Sequence, residues 1–189
     1  MPNTHSTPTH SFVFIDIVAY TMITERDGDH RAAEIATTLV RVAAKAATEL
    51  QVEFVKHIGD AVMLRADAAH DALSLALQIR RDLAAIPGFP AVHTGIHTGP
   101  AVWAEGDWFG NTVNVASRIS DAAEPGEILC SEATLAAAGS PLNMRFVACG
   151  SRSFRNCTPQ LGVFAAERTP PRFTRREAGT PLAAQVQVA

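Results

Sequence analysis

The sequence Phe12-Val13-Phe14-Ile15-Asp16-Ile17-Val18 is apolar at every position except one aspartate. Such a run is typical of a central strand that is covered on both faces. A second aspartate, Asp60, stands between Ile58-Gly59 and Ala61-Val62-Met63-Leu64. Because a buried, unpaired carboxylate costs several kcal/mol, the two aspartates must meet a cation or lie at strand ends. We interpret them as ligands of a divalent metal that carries a polyphosphate. The alternatives are a helix cap for Asp16 and a turn residue for Asp60.

The composition predicts one soluble globular domain. The chain has 189 residues, a net charge of -3, 47% hydrophobic and 19% charged residues, which is enough for a sizeable core. The charge gives no support to general binding of nucleic acid or of a membrane surface. The first residues lack the pattern of a signal peptide, and charges interrupt every apolar stretch before bilayer-spanning length. We therefore expect a cytoplasmic protein, and the three scattered cysteines fit free thiols in a reducing compartment.

Hydrophobic periodicity predicts the order β-α-β-β-α-β, followed by further helices and strands. The predicted elements around the motifs are strands at 11–18, 52–57 and 60–64, a helix that begins near Asp27-Gly28-Asp29 and a helix that Asp67 caps. A turn is predicted at Thr98-Gly99-Pro100, between two further strands. This order indicates a ferredoxin-like α+β core with appended C-terminal α/β elements.

Composition also divides the chain. Residues 1–10 are polar and are expected to form a flexible N-terminal segment. Residues 11–168 are expected to form the folded domain. Residues 169–189 are rich in Pro, Arg, Thr and Ala and are expected to form a flexible tail.

Lys56 is a candidate recognition residue. Strict alternation along Val52-Glu53-Phe54-Val55-Lys56 puts it on the same face as Val52 and Phe54. A cation on an apolar face, four residues before Asp60, favours recognition of an acceptor group. The alternative is a lysine that snorkels at a strand end.

A short helix predicted from about 112 to 122 carries Asn114 and Arg118 four residues apart, hence on one face. An amide beside a guanidinium fork suits a ribose and a phosphate. The alternative is an ordinary solvated face on which Arg118 pairs with Asp121.

Taken together, these segments resemble the catalytic domain of class III nucleotidyl cyclases, from about Phe12 to Phe164. The motifs that carry the resemblance are, in chain order, Phe14-Ile15-Asp16-Ile17-Val18-Ala19-Tyr20-Thr21, Lys56-His57-Ile58-Gly59-Asp60, Gly95-Ile96-His97-Thr98-Gly99 and Asp107-Trp108-Phe109-Gly110-Asn111-Thr112-Val113-Asn114-Val115-Ala116-Ser117-Arg118. Each motif is moderately specific, and all four in the same order argue against chance.

The resemblance implies that Asp16 and Asp60 hold two divalent metal ions, Mg²⁺ or Mn²⁺, with the backbone carbonyl of Ile17 completing one site. The ribose 3′-hydroxyl would attack the α-phosphorus, and pyrophosphate would leave. Backbone amides after Ile17 would hold phosphate oxygens; these belong to Val18, Ala19, Tyr20 and Thr21. Two of these residues depart from the family, which usually has Gly and Phe where this chain has Ala19 and Tyr20.

The resemblance assigns three further residues to the substrate. Asn114 would orient the ribose, and Arg118 would stabilise charge that develops at the α-phosphate. Arg155 matches a phosphate-binding lysine, although Phe154-Arg155-Asn156 replaces the usual Leu-Lys-Gly.

Lys56 and Asp107 match the positions that read the base. A lysine donor and an aspartate acceptor suit N1 and N6 of adenine, so ATP is the predicted substrate and cyclic AMP the product. Guanine reverses that pattern, and members of the family that make cyclic GMP typically carry an acidic residue in place of the lysine. The alternatives are a cyclase of GTP or of a pyrimidine nucleotide, and a catalytically silent module for dimerisation or regulation.

The resemblance also implies a head-to-tail homodimer with two shared sites. One subunit would supply Asp16 and Asp60. The residues supplied by the other subunit would be Lys56, Asp107, Asn114, Arg118 and Arg155. Neither nucleic acid nor a membrane is an expected partner.

Overall fold

A seven-stranded sheet organises residues 8–139, 144–154 and 157–169, which the computed structural model describes. The elements in chain order are β1 (Thr9–Ile17), α1 (Tyr20–Asp27), α2 (Asp29–Glu49), β2 (Glu53–Ile58), β3 (Ala61–Ala66), α3 (Ala69–Ala84), β4 (Val92–Pro100), β5 (Val102–Ala104), β6 (Asp107–Phe109), α4 (Asn111–Asp121), β7 (Ile128–Ser131), α5 (Glu132–Ala138), β8 (Met144–Phe154) and β9 (Cys157–Arg168). The parts of the predicted flexible segments at 1–7 and 170–189 lie outside the described residues.

The strand order is β2-β3-β1-β4-β7-β9-β8. Within it, β1 is antiparallel to both β3 and β4, and α2 and α3 supply the crossovers of a ferredoxin-like β-α-β-β-α-β unit. β7 joins β4 in parallel, and the β8–β9 hairpin extends the sheet. The predicted α+β fold with appended C-terminal elements is therefore confirmed. In the described part of the chain, no helix combines the length and the apolar composition that crossing a bilayer requires.

β1 is buried on both faces, as its sequence predicts. Val13 and Ile15 belong to the large core beneath α2 and α3. Phe12 and Phe14 point to the opposite face, where they pack with Met63, Ala101 and Ala116. Burial of each large side chain stabilises the fold by roughly 1.5–3 kcal/mol. Since Asp16 follows Phe12 and Phe14 in the alternation, it faces the side of the sheet that α4 covers.

α4 lies directly on β4 because Gly95 has no side chain. A Cβ atom at this position would be 2.1 Å from the backbone nitrogen of Ser120. The Ser120 hydroxyl donates to the carbonyl of Phe14 across a distance of 3.3 Å, which ties α4 to β1 as well. This close contact fixes the helix that carries Asn114 and Arg118.

The prediction of a turn at Thr98-Gly99-Pro100 is wrong. β4 continues through Pro100, which pairs with Thr9, so β1 also begins inside the segment predicted to be flexible. The buried hydroxyls of Ser11 and Thr98 form a hydrogen bond of 2.8 Å between the two strands. Pairing along the whole of β1 therefore overrides the local turn preference of Gly and Pro.

The predicted cap of one helix is wrong, and another helix was not predicted. Asp67 does not cap α3: the N-cap is Ala68, without a side-chain hydrogen bond, and Asp67 accepts from Arg65 at 2.6 Å instead. α1 was absent from the predicted elements, and it buries none of its residues, so no apolar stripe marks it in the sequence. The helix predicted to begin near Asp29 does begin there.

Candidate active site

Asp16 and Asp60 meet at one end of the sheet. Asp60 lies in the turn between β2 and β3, and Asp16 pairs across the strands with Ala61, the next residue along. Burial, and then the charge of the Asp60 carboxylate, raise the pKa of Asp16 to about 6. The helix-cap alternative for Asp16 does not apply, because α1 starts from Ala19 and has no side-chain cap. The two carboxylates are thus close enough for the charge of Asp60 to disfavour ionisation of Asp16.

The surroundings of Asp16 only partly compensate its charge. The backbone N–H of Ile17 donates to the carboxylate, and His93, which is opposite Asp16 on β4, exerts a weaker electrostatic effect; both lower the pKa of Asp16. The buried Nδ1 atom of His93 has no hydrogen-bond partner among the described residues. Those residues include no group of three or more His, Cys, Asp or Glu side chains that could hold a metal ion. Two hard oxygen donors therefore offer a partial coordination shell.

The segment after Ile17 turns sharply into α1. The N–H of Val18 donates to the carbonyl of Ala91 at 3.0 Å, so it is engaged within the fold. Ala19 adopts the left-handed conformation, with φ of 56°, a position that glycine occupies without strain. Tyr20 and Thr21 then lie in the first turn of α1, where backbone N–H groups lack intrahelical acceptors and favour anionic oxygens.

Lys56 does not share a face with Phe54. β2 has an irregular register in which Phe54 pairs with Leu64 and Lys56 pairs with Met63. The extra residue, Val55, is the mark of a β-bulge, which reverses the alternation. Phe54 consequently packs against the core beneath α2 and α3, whereas Val55 and Met63 belong to the opposite core. The prediction from strict alternation is therefore wrong, and Lys56 lies on the same face of the sheet as Asp16.

The bulge brings Lys56 to Asp107. The Lys56 ammonium group donates to Oδ2 of Asp107, and the backbone N–H of Trp108 donates to Oδ1 at 2.8 Å. The hydrogen bond from Lys56 is the main reason that the pKa of Asp107 is held below its usual value. A fixed donor and a fixed acceptor thus stand side by side next to the turn of the β5–β6 hairpin.

Asn114 and Arg118 lie on the exposed face of α4, with Val115 and Ile119 buried on the opposite face. Arg118 also donates to Asp121 at 3.0 Å, so the predicted alternative pairing is present. This exposed ion pair is worth about 0–1 kcal/mol, and an anionic ligand can therefore replace it at little cost.

Arg155 lies outside the described residues. Arg152, three positions earlier, donates to the carbonyl of Ala122 at 2.7 Å and so supports the C-terminus of α4.

The comparison with protein families identifies the chain. The family described as adenylate and guanylate cyclase catalytic domain matches residues 3–155. The chain belongs to this family. The resemblance to class III nucleotidyl cyclases that the sequence motifs carry is therefore confirmed.

Individual relatives agree with this assignment. The chain is 35% identical over 126 residues to the pH-sensitive adenylate cyclase MT1302 of Mycobacterium tuberculosis, a match that covers 67% of this chain and 32% of that protein. It is 32% identical over 116 residues to an adenylate cyclase of Streptomyces griseus, covering 61% and 29% respectively. The matched region thus spans about a third of the length of these curated relatives. The fold is similar to that of the adenylyl cyclase CyaB from P. aeruginosa, with a TM-score of 0.73, 20% identity, and coverage of 86% of this chain and 95% of that one.

Within one copy of this cyclase domain the candidate residues fall into three separate groups. They are the Asp16–Asp60 pair, the Lys56–Asp107 pair and the Asn114–Arg118 face of α4. Across the described residues, no hydrogen bond or ion pair links one group to another.

Sequence reasoning missed the residues that contact Trp108, the neighbour of Asp107, in this cyclase domain. The Trp108 indole donates to Glu53 at 3.3 Å, and Arg65 donates to the same carboxylate at 2.5 Å. A signal existed in the sequence, because Arg65 continues the apolar strand Val62-Met63-Leu64. Its cross-strand partner, Glu53, could not be identified without the register of β2 and β3.

Proposed function

We propose that the chain is the catalytic domain of an adenylate cyclase, which converts ATP to 3′,5′-cyclic AMP and pyrophosphate. The observation that carries the proposal is the juxtaposition of Asp16 and Asp60 on the sheet face that also bears Lys56. Family membership supports cyclase chemistry, and curated relatives that bear the name adenylate cyclase support ATP as the substrate.

The chemistry of the aspartate pair fits two Mg²⁺ or Mn²⁺ ions. Carboxylate oxygens are hard ligands, and a dication would offset both the burial of Asp16 and its repulsion by Asp60. The backbone carbonyl of Ile17, at the end of β1, is the third oxygen that we assign to this site. Bound ions of this kind activate a hydroxyl nucleophile and neutralise a polyphosphate.

The chain's own side chains would orient the reacting groups. The Asn114 amide would bind the ribose, so that the 3′-hydroxyl faces the α-phosphorus. Arg118, four residues further along the same helix face, would exchange Asp121 for the α-phosphate and stabilise the charge that develops there. The first-turn amides at Tyr20 and Thr21, together with Arg155, would bind the phosphates that leave as pyrophosphate.

The Lys56–Asp107 pair supports adenine as the base. Lys56 can donate to N1 of adenine, and Asp107 can accept from the exocyclic N6 amino group. Guanine presents a donor at N1 and an acceptor at O6, which is the opposite pattern. GTP would therefore leave polar groups of the site without partners, a large penalty in a desolvated pocket.

A head-to-tail homodimer would assemble the complete site. One copy keeps its three groups of residues apart, so a shared site needs contributions from two copies. Val102 and Phe109 form a cross-strand pair on the β5–β6 hairpin, close to Asp107 in the sequence, and are 56% and 52% exposed. Exposed apolar residues next to a binding site favour a protein contact there. We assign them to the subunit interface.

The test is a product assay on the purified chain with ATP, GTP, CTP and UTP in Mn²⁺, with products resolved by chromatography. We expect cyclic AMP and pyrophosphate from ATP, at a higher rate than any other cyclic nucleotide is made. Absence of a cyclic product from all four nucleotides would favour the silent regulatory module, and a preference for another nucleotide would contradict the assignment of the base.

A further inference from the structure

The hairpin that carries Asp107 is attached to the sheet through a tryptophan. Trp108 follows Asp107 in β6 and extends from the hairpin toward β1, where its ring meets Phe12 edge-on with centroids 5.8 Å apart. The ring of His10 packs against it in the same way at 4.7 Å. The indole therefore lies between the hairpin and the sheet, in contact with two residues of the central strand.

A partly buried ion pair holds this indole in one orientation. Glu53 and Arg65 are directly opposite each other on β2 and β3. One oxygen of Glu53 accepts from the indole N–H at 3.3 Å, and the other accepts from Nε of Arg65 at 2.5 Å. The Arg65 guanidinium lies over the Trp108 ring, 4.9 Å from its centroid, and donates to Nδ1 of His10 at 2.7 Å. Charge-assisted hydrogen bonds and a cation–π contact thus act on the same ring.

The contact between Glu53 and Trp108 joins β2 to the β5–β6 hairpin, as the contact between Lys56 and Asp107 also does. Glu53 is three residues before Lys56 on β2, on the other side of the bulge, and Trp108 is the residue after Asp107. The same strand and the same hairpin are consequently joined twice, once by Glu53 with Trp108 and once by Lys56 with Asp107. The Trp108 backbone N–H also donates directly to the Asp107 carboxylate at 2.8 Å. A shift of the indole would therefore change the separation of the two groups that meet the base.

We propose that Trp108, oriented by Glu53 and Arg65, is a positioning residue for recognition of adenine by Lys56 and Asp107. This inference rests on the proposed function, because it concerns the base of the same substrate. A purely structural role for Trp108 would affect stability and overall turnover. A positioning role affects the affinity for ATP and its discrimination from GTP.

The main test variant is Trp108→Phe, which keeps an aromatic ring and removes only the indole N–H and part of the ring. We expect the ratio of kcat/KM for ATP to that for GTP to fall about 5- to 10-fold, which corresponds to one hydrogen bond, chiefly through a higher KM for ATP. Equilibrium binding of fluorescent ATP and GTP analogues should show the same loss of preference. The matched control is Trp103→Phe, whose ring contacts Trp108 at 5.4 Å and whose N–H has no hydrogen bond within the described part of the chain. It should keep the preference of the native protein.

A pair of Glu53 variants decides the question if Trp108→Phe does not fold. Glu53→Gln keeps one oxygen acceptor in place of two, which the indole and Arg65 must share, and should lower the ratio less than Glu53→Met does. Glu53→Met removes the acceptor and should lower the ratio as Trp108→Phe does. If the native chain prefers ATP and every folded variant keeps that preference, the positioning role is overturned while the proposed function stands. If the native chain makes no cyclic nucleotide or does not prefer ATP, the proposed function fails and this inference fails with it.

Discussion

Lys56 and Asp107 are 51 positions apart in the sequence and form an ion pair in the fold. A bulge at Val55 makes this contact possible, because without the extra residue Lys56 would point into the core beneath α2 and α3. The local irregularity of one strand thus determines whether the chain has a donor beside the acceptor at Asp107.

The first prediction concerns this pair. The double substitution Lys56→Glu with Asp107→Gly should reduce kcat/KM for ATP by roughly 100-fold or more, and that for GTP far less, because the groups complementary to adenine are removed. Steady-state kinetics with both nucleotides measures the change. Lys45→Glu is the control, since Lys45 is an exposed lysine of α2 that pairs with Glu49. An unchanged ratio in the double variant would refute the proposed reading of the base.

The second prediction concerns the contact between β4 and α4. Gly95→Ala should lower the free energy of unfolding by about 3 kcal/mol, because the new methyl group would overlap backbone atoms of α4 that cannot rotate away. Urea denaturation measures the loss. Turnover should fall too, since α4 carries Asn114 and Arg118.

Gly162→Ala is the matched control for that substitution. A Cβ at Gly162, on β9, would be 3.1 Å from the end of the flexible Glu132 side chain and clear of backbone. Its cost should be within about 0.5 kcal/mol. Equal losses in the two variants would show that the close approach of α4 to β4 does not determine the cost of a side chain at position 95.

The sequence predicts the fold well where the pattern is strong and long. The apolar run around Asp16 identifies the central strand, and the order of helices and strands identifies the ferredoxin-like core. The turn predicted at Thr98-Gly99-Pro100 fails because pairing with β1 outweighs the local preference. α1 escapes prediction because none of its residues is fully buried; Tyr20 and Ile23 pack only against the edge of the core.

The candidate site was less predictable, for a physical reason. In the sequence, Asp60 stands just before a hairpin strand, a position typical of an exposed turn residue. In the structure, this turn brings Asp60 close to Asp16. The orientation of Lys56 depends on the bulge, and bulges have no reliable pattern in one sequence. The contacts of Trp108 depend on the register of two strands, which no local periodicity encodes.

The third prediction concerns pH. The pKa of Asp16 is about 6 in the folded protein and 3.8 ordinarily. Between pH 3.8 and pH 6 the folded state keeps a proton that the unfolded chain has released. The free energy of unfolding therefore falls as pH rises through this interval, and the destabilisation by Asp16 is complete above about pH 6. Asp16→Asn removes the titration. Its free energy of unfolding, relative to the native chain, should therefore increase from about pH 4 to about pH 6 and then level off, in denaturation experiments with a metal chelator.

Asp67→Asn is the control for this experiment. Hydrogen bonding to Arg65 holds the pKa of Asp67 below its usual value, so the native carboxylate contributes stability that is lost only as pH falls below about 4. Its difference from the native chain should stay nearly constant over the interval in which Asp16→Asn changes. Asp16→Asn should also lose Mn²⁺-dependent turnover. Greater stability without activity is the combination expected when a functional carboxylate is replaced, and substantial turnover would contradict the metal assignment.

The fourth prediction tests whether sites are shared between copies. Asp16→Ala and Asn114→Ala should each be inactive, and an equal mixture should recover roughly a quarter of native activity, because half of the dimers are mixed and each of these has one intact site of two. The control mixture combines Asp16→Ala with Asp60→Ala. Both of these residues come from the same side of each site, so every mixed dimer has two damaged sites and no recovery should follow. Differently tagged chains and co-purification would establish that mixing has occurred. Proven mixing without recovery in the first mixture would contradict shared sites. Recovery in the control would mean that the Asp16 and Asp60 of one site come from different copies.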